Sequence, residues 1–415
     1  MIVAKHIDTL RRISAKNSDS LLFFIGSVVA AGTNFLFQAL MGRLLGPNVY
    51  GALGSLLGLV TIFSLVASAL QLAITHAVAS NDPQQSDIRP DLSLRRPFIR
   101  LILASVVLFG VVAVATPALK HYLHLHSIVP VLLFGVFISL SIVSIIPRAV
   151  LFGRMQFSTV AIGLIVNGVS RCVFGVLFVE LHLGLDGATL ATVFGAALQI
   201  VVYAKPIRTE LLKLGPIQER LVRYRSVLLA TMSLGGVSAF IGVDSVLARH
   251  YLPGKESGYY VAAATGARIA LFLPGAIQQM AFPRLTRTID KPLENRKMFR
   301  QNLVIVAILA AGATIGILLF SHVVLAILFG SKFRSAAPTI RILALSAAEM
   351  GVISYFTYYF LAHKSAFAVI SWIGVVGAAI FIWQFHSDPA QIAEMMFGAT
   401  SATLLFQWYG LWRLR

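Results

Sequence analysis

Long apolar runs, separated by short polar turns, follow one another along nearly the whole chain. A hydrocarbon core about 30 Å thick requires about 20 apolar residues per helix, and about twelve runs reach that length. Backbone polar groups in lipid must find partners within their own segment, so these runs are predicted to be helices. Their predicted bounds are 21–45, 49–79, 98–116, 128–152, 157–180, 185–204, 226–250, 257–283, 301–329, 337–361, 367–385 and 390–412. The sequence therefore predicts an all-α polytopic membrane protein.

The composition supports this class and argues against others. The chain is 58% hydrophobic and 12% charged, whereas soluble domains are about half apolar and about a quarter charged. A net charge of +18 would suggest nucleic acid in a polar chain. Here the cations are expected to fix membrane topology, so we expect no nucleic-acid partner. The single cysteine, Cys172, excludes an intrachain disulfide.

Lysine and arginine collect in every second predicted loop, and cytoplasmic loops are the ones enriched in these residues. With a cytoplasmic N-terminus, the inner cations are Arg89, Arg95, Arg96, Arg154, Lys205, Arg208, Lys213, Arg220, Arg223, Arg225, Arg284, Arg287, Lys291, Arg296, Lys297, Arg300, Arg413 and Arg415. The opposite loops hold little beyond Lys120, Lys255, Lys332 and Arg334. The sequence predicts a multi-pass protein of the cell membrane with both termini in the cytoplasm.

Two turns, 43–51 and 249–258, repeat one pattern half a chain apart. In each an arginine ends one apolar run, a Pro–Gly or Gly–Pro pair makes the turn, and a glycine beside a tyrosine opens the next run. We name them the first turn and the second turn. Segments 151–157 and 361–367 repeat at almost the same offset. Six predicted spans separate the copies, and an even number gives both copies one orientation, which indicates a parallel repeat.

The repeat predicts two six-helix lobes, 1–204 and 226–415, around a central cavity near the middle of the membrane. Between them, 205–225 places leucine and isoleucine at helical spacing among cations. That pattern is typical of an amphipathic helix in the cytoplasmic headgroup layer. A solvated linker is the alternative.

Deep arginines are the candidates for binding a substrate anion. Arg171 and Arg268 lie about fourteen and about eleven residues into their spans, too deep for their charges to reach water easily. A guanidinium stays charged in a low dielectric and matches phosphate oxygens with two parallel hydrogen bonds. Arg148, near the inner end of its span, is a weaker third candidate. The alternative for Arg171 and Arg268 is a structural arginine bound to helix carbonyls or to a carboxylate, and the alternative for Arg148 is an interfacial cation.

Several other polar residues are predicted to line the same cavity. Asn34 and Gln38 lie one turn apart on one helix face, and Asn167 precedes Arg171 by four residues. Asp244 aligns with Gln38 in the repeat and is the deepest acid. We expect Asp244 to be either a structural partner of a buried arginine or a coupling group for a cation or proton. The amides could equally join neighbouring helices.

The sequence shows no pattern of an enzyme or of a cofactor site. A phosphate-binding loop is absent, because Gly254 and Lys255 are followed by Glu256. The histidines of the outer loop, at 121, 124 and 126, have no carboxylate or cysteine beside them. We therefore expect no enzymatic activity, no metal site and no cofactor.

Three stretches resemble one known family. Residues 42–51 and 244–260 resemble the turns after spans one and seven in the polysaccharide-transporter branch of the multidrug/oligosaccharidyl-lipid/polysaccharide exporter superfamily, and 328–346 resembles its junction between spans nine and ten. The resemblance implies two six-helix lobes around a cationic cavity. It implies a flippase of the O-antigen type, which moves an oligosaccharide on a polyprenyl diphosphate from the cytoplasmic to the outer leaflet. It also implies partners among membrane lipids, polysaccharide polymerases and glycosyltransferases.

Two alternatives stay open. Cation-coupled drug exporters of the same superfamily resemble one another in having a carboxylate in the first half, whereas spans one to four here contain no Asp or Glu. A non-transporting scaffold or a membrane glycosyltransferase is the other alternative, although no acidic, metal-binding loop is apparent.

Overall fold

A computed structural model describes residues 2–80, 95–208 and 224–413, and these ranges contain helices and turns with no strand. The helices of the first half are α1 (Ile2–Ser80), α2 (Arg95–Tyr122), α3 (Val129–Val143), α4 (Ile145–Gly153), α5 (Phe157–Phe178) and α6 (Gly184–Ala204). Those of the second half are α7 (Tyr224–Tyr251), α8 (Gly254–Ala267), α9 (Phe272–Arg287), α10 (Pro292–Phe329), α11 (Ala337–Ala362), α12 (Ser371–Gln384) and α13 (Pro389–Arg413). Most of the predicted linker, 209–223, lies outside the described residues.

The predicted spans correspond to these helices. Within the described part, eight helical stretches are long and apolar enough to cross a membrane. Two of them, Ile25–Phe63 and Phe157–Ile207, each contain parts of two predicted spans. Spans 257–283 and 390–412 are helical but are not among the eight. The prediction of an all-α polytopic membrane protein is confirmed.

Three spans deviate from straight helices at prolines. Gly46 adopts φ 70° immediately before a proline and bends α1 within the first turn. Pro147 and Pro274 lack an N–H, and each ring crowds the carbonyl four residues earlier, at Val143 and Ala270. The helix breaks at both places: α3 ends at Val143, and a 3-10 turn over Arg268–Leu271 separates α8 from α9.

The backbone repeats its rare conformations at the predicted offset. After α2 and after α10, the left-handed residues are His124, with φ 49°, and Gly330, with φ 87°. After α4 and after α11, they are Met155, with φ 58°, and Lys364, with φ 53°. The last pair ends two equivalent spans with the same carboxyl-terminal cap, in which the N–H of the next residue bonds to a carbonyl five positions earlier at 2.9 Å in both. Chain duplication explains the shared geometry.

The described chain forms two compact units that do not follow chain order. The described residues within 1–38, 70–116 and 129–223 form the first unit, and those within 39–69, 117–128 and 224–415 form the second. The second unit therefore includes the first turn as well as the second turn. The division into lobes 1–204 and 226–415 stays a prediction.

Aromatic side chains hold the first turn in place within the second unit. Tyr50, which is fully buried, lies 5.4 Å from Phe329 and 5.9 Å from Phe333, ring centre to ring centre. Its hydroxyl lies 3.3 Å from the hydroxyl of Thr265 on α8. Burying large aromatic rings is strongly favourable, so this cluster fixes the first turn against the ends of α8 and α10.

Candidate functional site

Arg171 of α5 lies in the first unit with an incomplete set of partners. Its Nη1 donates to Asn34 Oδ1 at 3.2 Å, and its guanidinium lies 4.3 Å from the ring centre of Phe37. Its Nε and Nη2 are buried without a hydrogen-bond partner. Gly195 of α6 makes room for the side chain, because a Cβ there would lie 2.7 Å from the Arg171 Cγ. Two buried donors are left to bind an acceptor.

Asn167 lies one turn before Arg171 and joins α5 to α6. Its Nδ2 donates to Gln199 Oε1 at 3.1 Å, and Gln199 donates to the Tyr203 hydroxyl at 3.1 Å. Tyr203 in turn donates to the carbonyl of Val160 at 3.1 Å. This chain of bonds holds the two helices in register and fixes the backbone that carries Arg171.

The other two predicted residues near this contact are Gln38 and Arg148. Gln38 follows Asn34 by one turn of α1 and is half-buried. Arg148 of α4 has its Nε buried without a partner and its guanidinium 5.8 Å from the Phe152 ring centre. No contact joins Arg148 to Arg171 among the described residues. Of the predicted set, Asn34 is the one seen bound to Arg171.

Arg268 lies in the second unit, at the end of α8, and has a carboxylate partner. Its Nη2 donates to Asp244 Oδ1 at 2.9 Å, to the Ile241 carbonyl at 2.6 Å and to Ser245 Oγ at 3.0 Å. Asp244 also accepts from the Ser245 N–H at 2.6 Å and from the Tyr260 hydroxyl at 3.3 Å. The side chains of Arg268 and Asp244 are 27% and 6% exposed. Asp244 and Arg268 thus form a partly buried ion pair, and the role of Asp244 stays a prediction.

A cavity of about 40 Å³ lies beside Arg268 and Asp244, and Thr400 of α13 forms part of its wall. That volume suits about one water molecule rather than a sugar or a diphosphate. Thr400 also bonds to Glu349 Oε2, and Ser401 donates to Glu349 Oε1 at 2.7 Å. In this conformation the neighbourhood of Arg268 is a compensated polar cluster with little open space.

Arg249 of the second turn makes structural hydrogen bonds that were not predicted from the sequence. It is 6% exposed. Its guanidinium donates to the Leu123 carbonyl (2.9 Å), the His124 carbonyl (3.1 Å), Ser257 Oγ (3.1 Å), the Asn48 carbonyl (3.4 Å) and the Gly254 carbonyl (3.5 Å). One side chain thus joins both turns to the segment that follows α2.

Arg43 of the first turn makes the equivalent contact in the other direction. Its Nε donates to the Leu328 carbonyl at 3.0 Å, and its Nη2 donates to the Ile327 carbonyl, both at the end of α10. In the repeat Arg43 matches Arg249, and the end of α10 matches the end of α2. We name these the reciprocal arginine contacts. The arginine repeated in both turns indicated that these positions matter, but the carbonyls that each arginine binds are remote in sequence.

Glycines let the backbones approach closely behind these contacts. A Cβ at Gly58 would lie 2.7 Å from the Gly242 carbonyl oxygen, and one at Gly242 would lie 2.5 Å from the Gly58 oxygen. At Gly258 a Cβ would overlap the Pro47 backbone. Small residues permit such contacts between membrane helices. The first turn and the start of the next span therefore pack directly against α7 and α8.

The helical fold and the charged groups inside its spans define a multi-pass membrane protein. A family model described as polysaccharide biosynthesis protein matches residues 40–338, more than half of the chain. The chain belongs to this family. The resemblance noted from the three sequence stretches is confirmed, and the fold is that of the multidrug/oligosaccharidyl-lipid/polysaccharide exporter superfamily, whose members have about twelve membrane helices.

Three relatives illustrate the similarity. An uncharacterised membrane protein of Methanocaldococcus jannaschii is 24% identical over 364 residues, 82% of each chain. An inward-facing multidrug resistance MATE family transporter superposes with a TM-score of 0.74 at 12% identity, covering 92% of this chain and 93% of its own. The lipid II flippase MurJ, in an inward closed conformation, superposes with a TM-score of 0.73 at 13% identity, covering 94% and 87%. At these identities the structural likeness concerns the fold.

Proposed function

We propose that the protein is a flippase for a polyprenyl-diphosphate-linked oligosaccharide in surface polysaccharide synthesis. Membership of the polysaccharide biosynthesis family supports the glycan, and the shared fold with a lipid II flippase supports a lipid-linked form. The substrate would pass from the cytoplasmic to the outer leaflet of the cell membrane, with both protein termini in the cytoplasm. The prenyl chain would stay in lipid while the polar group crosses inside the protein, because exposing charge to hydrocarbon is very unfavourable.

The main support for an anion site is the buried guanidinium of Arg171, whose Nε and Nη2 have no hydrogen-bond partner. A buried guanidinium with two unpartnered nitrogens gains free energy when an anion arrives, since each charge-assisted hydrogen bond contributes about 1.5–3 kcal/mol. No carboxylate pairs with Arg171 among the described residues. Asn34 orients the guanidinium, Asn167 fixes its helix, and Gln38 lies one turn further along α1 to meet the sugars.

Arg268 and Arg148 have secondary roles in this proposal. Arg268 shares its charge with Asp244, so it would bind a diphosphate only after that ion pair loosens. Asp244 would then be the group that returns Arg268 to its resting position. Arg148, with one buried unpartnered N–H, is a further weak anion contact near the inner end of its span.

Transport would proceed by alternating access, with the reciprocal arginine contacts as the outer closure. The loop charges predict that both turns face the outside. Arg43 and Arg249 bind helix-end carbonyls there, and hydrogen bonds to carbonyls can break and re-form without leaving a permanent charge pair. Opening toward the outer leaflet would require both contacts to release.

The test is lipid-linked oligosaccharide accumulation on the inner leaflet of cells that depend on this chain. We expect Arg171→Ala to lower flipping at least a hundredfold, from two lost bonds of about 1.5 kcal/mol each. Arg171→Lys would recover part, because an ammonium keeps the charge but not the two-pronged geometry. The control is Arg100→Ala, at an exposed arginine of α2 in the same unit. Full activity of Arg171→Ala at normal membrane levels would reject the anion site.

Cation-coupled multidrug export is the alternative function, and it can be tested in the same cells. Such an exporter would raise resistance to cationic drugs when overproduced and would leave lipid-linked oligosaccharide unchanged when depleted. That pair of results would replace the flippase proposal.

A further inference from the structure

A large groove lies at the end of the second unit that carries the predicted cytoplasmic cations. Its volume is about 1220 Å³. The lining residues are Leu293, Arg296, Lys297, Phe299, Arg300, Gln301, Asn302, Val304, Ile305, Tyr359 and Leu411. We name it the inner groove. It is far larger than the cavity beside Arg268, and none of its residues belongs to the anion site proposed above.

The groove changes from cationic to apolar along α10. Arg296, Lys297 and Arg300 occupy less than two turns, and all three are exposed. One further turn along the same helix lie Val304 and Ile305, which are 57% and 43% exposed. This helix has 38 residues and bends at Phe320, where the backbone leaves helical geometry. Its straight part before the bend has 28 residues, about 42 Å at 1.5 Å per residue, and is longer than a hydrocarbon core of about 30 Å. With the cations at headgroup depth, Val304 and Ile305 would lie at acyl-chain depth.

The inner groove has a rigid wall. Phe299 of α10 stacks on Tyr355 of α11 with ring centres 5.4 Å apart, and it packs against the tilted ring of Tyr359 at 4.2 Å. Below the cations, Asn295 donates to the Leu285 carbonyl at 2.9 Å and ties the start of α10 to the end of α9. A groove that is formed before binding loses little entropy when it is filled.

The positive charge of the inner groove indicates what kind of molecule it binds. Cations spread over a flat loop are explained by topology alone, but three cations and two amides on the wall of one groove form a polyvalent anion site. Glu294, two residues before Arg296 on the same helix, is itself paired with Lys291 at 3.5 Å. A single phosphate would contact only part of this set of cations and amides. Basic pockets between membrane helices on the cytoplasmic side are typical sites for lipids with several phosphates.

We propose that the inner groove binds a resident phospholipid of the surrounding leaflet that carries two phosphates. Lys297 and Arg300 would bind the phosphates together with Arg296, while Gln301 and Asn302 donate to the linking glycerol and phosphate oxygens. The acyl chains would follow Val304 and Ile305 into the bilayer. Such a lipid would hold α10 against α11, at the end of the unit opposite the reciprocal arginine contacts.

The test is lipid retention by the purified full-length protein, measured by native mass spectrometry with added tetraoleoyl cardiolipin or phosphatidylglycerol at equal phosphate. We expect the wild type to prefer cardiolipin. Lys297→Gln and Arg300→Gln should each weaken cardiolipin retention about fivefold, and Arg300→Lys should retain most of it. The matched control is Lys332→Gln with Arg334→Gln, which removes two exposed cations after the far end of α10.

Three results would overturn the proposal. Equal retention of the two lipids by the wild type would show that charge alone acts. An equal effect of the groove and control variants would remove the groove as the site. Displacement of cardiolipin by undecaprenyl diphosphate at a much lower concentration would make the groove a substrate site instead. The variants' thermal unfolding, followed alongside, separates lost binding from lost folding.

Discussion

Replacing Arg249 with leucine should release the closure between the two turns. Of its five contacts, three are at 3.1 Å or shorter, to Leu123, His124 and Ser257. Bonds to a charged donor contribute about 1.5 kcal/mol or more each, which gives about 4.5 kcal/mol in total. The carbonyls that are freed regain part of this from water. A net loss of about 2–3 kcal/mol would shift the closed-to-open ratio roughly 30- to 150-fold.

Thr265 offers a reporter for this opening. It is 4% exposed and lies beneath the turns with its hydroxyl near that of Tyr50. In a background with Cys172→Ser, which removes the single native cysteine, Thr265→Cys can be labelled from outside whole cells with a membrane-impermeant maleimide. Adding Arg249→Leu should raise the labelling rate at least tenfold, and Arg249→Lys should give an intermediate rate.

The matched control for this experiment is Lys255→Gln, which removes an exposed cation from the same turn. If Arg249→Leu is labelled at the control's rate while its membrane level is normal, the arginine does not hold the closure. Labelling in permeabilised cells identifies an inverted topology, because the cysteine would then react from the other side only. A variant that fails to reach the membrane is replaced by Arg249→Lys, for which the same comparison holds.

Three further predictions concern stability, measured as thermal unfolding in detergent. Asp244→Asn should destabilise by about 3–5 kcal/mol, because it leaves Arg268 partly buried without its counter-ion. Gly58→Ala should destabilise by about 1–3 kcal/mol, since its methyl would press on a carbonyl of α7 at 2.7 Å, whereas Gly312→Ala, with open space around it, should be neutral or stabilising. Glu349→Leu should cost about 1–3 kcal/mol by leaving the Ser401 hydroxyl without its acceptor, whereas Thr400 keeps the Phe397 carbonyl at 2.9 Å, and unchanged melting would contradict its structural role.

The spans were predictable because the bilayer imposes a single length rule on every helix. Their interruptions were predictable in part: Pro147 and Pro274 each break a helix at the carbonyl four residues earlier, as proline chemistry requires. Pro117 shows the limit of that rule, because α2 continues through it. The end of the apolar pattern at Gly46 indicated a turn, but α1 continues beyond the bend. Local chemistry marks a strained position, and the packing around it decides whether the helix ends.

Contacts of the two turn arginines, Arg43 and Arg249, were not predictable, because their partners lie far away in the chain. Arg249 binds carbonyls 125 and 126 residues earlier, and Arg43 binds carbonyls 284 and 285 residues later. Backbone carbonyls leave no mark in the sequence, since every residue has one. The repeat did mark both arginines, and the structure adds that each completes its contact at the equivalent place in the other half.

The depth of an arginine in its span indicates that its charge needs a partner. Whether that partner is a group of the protein or a bound anion decides whether the arginine is structural or binds substrate. By depth alone Arg171 and Arg268 are equal candidates for binding the substrate anion. Arg268 is compensated by Asp244, and Arg249 and Arg43 are compensated by carbonyls, so an arriving anion would have to displace bonds that already exist. Arg171 has two buried donors with nothing to displace. The free energy of binding a phosphate is therefore most favourable at Arg171, which makes this residue, rather than Arg268, the place where loss of charge should stop transport.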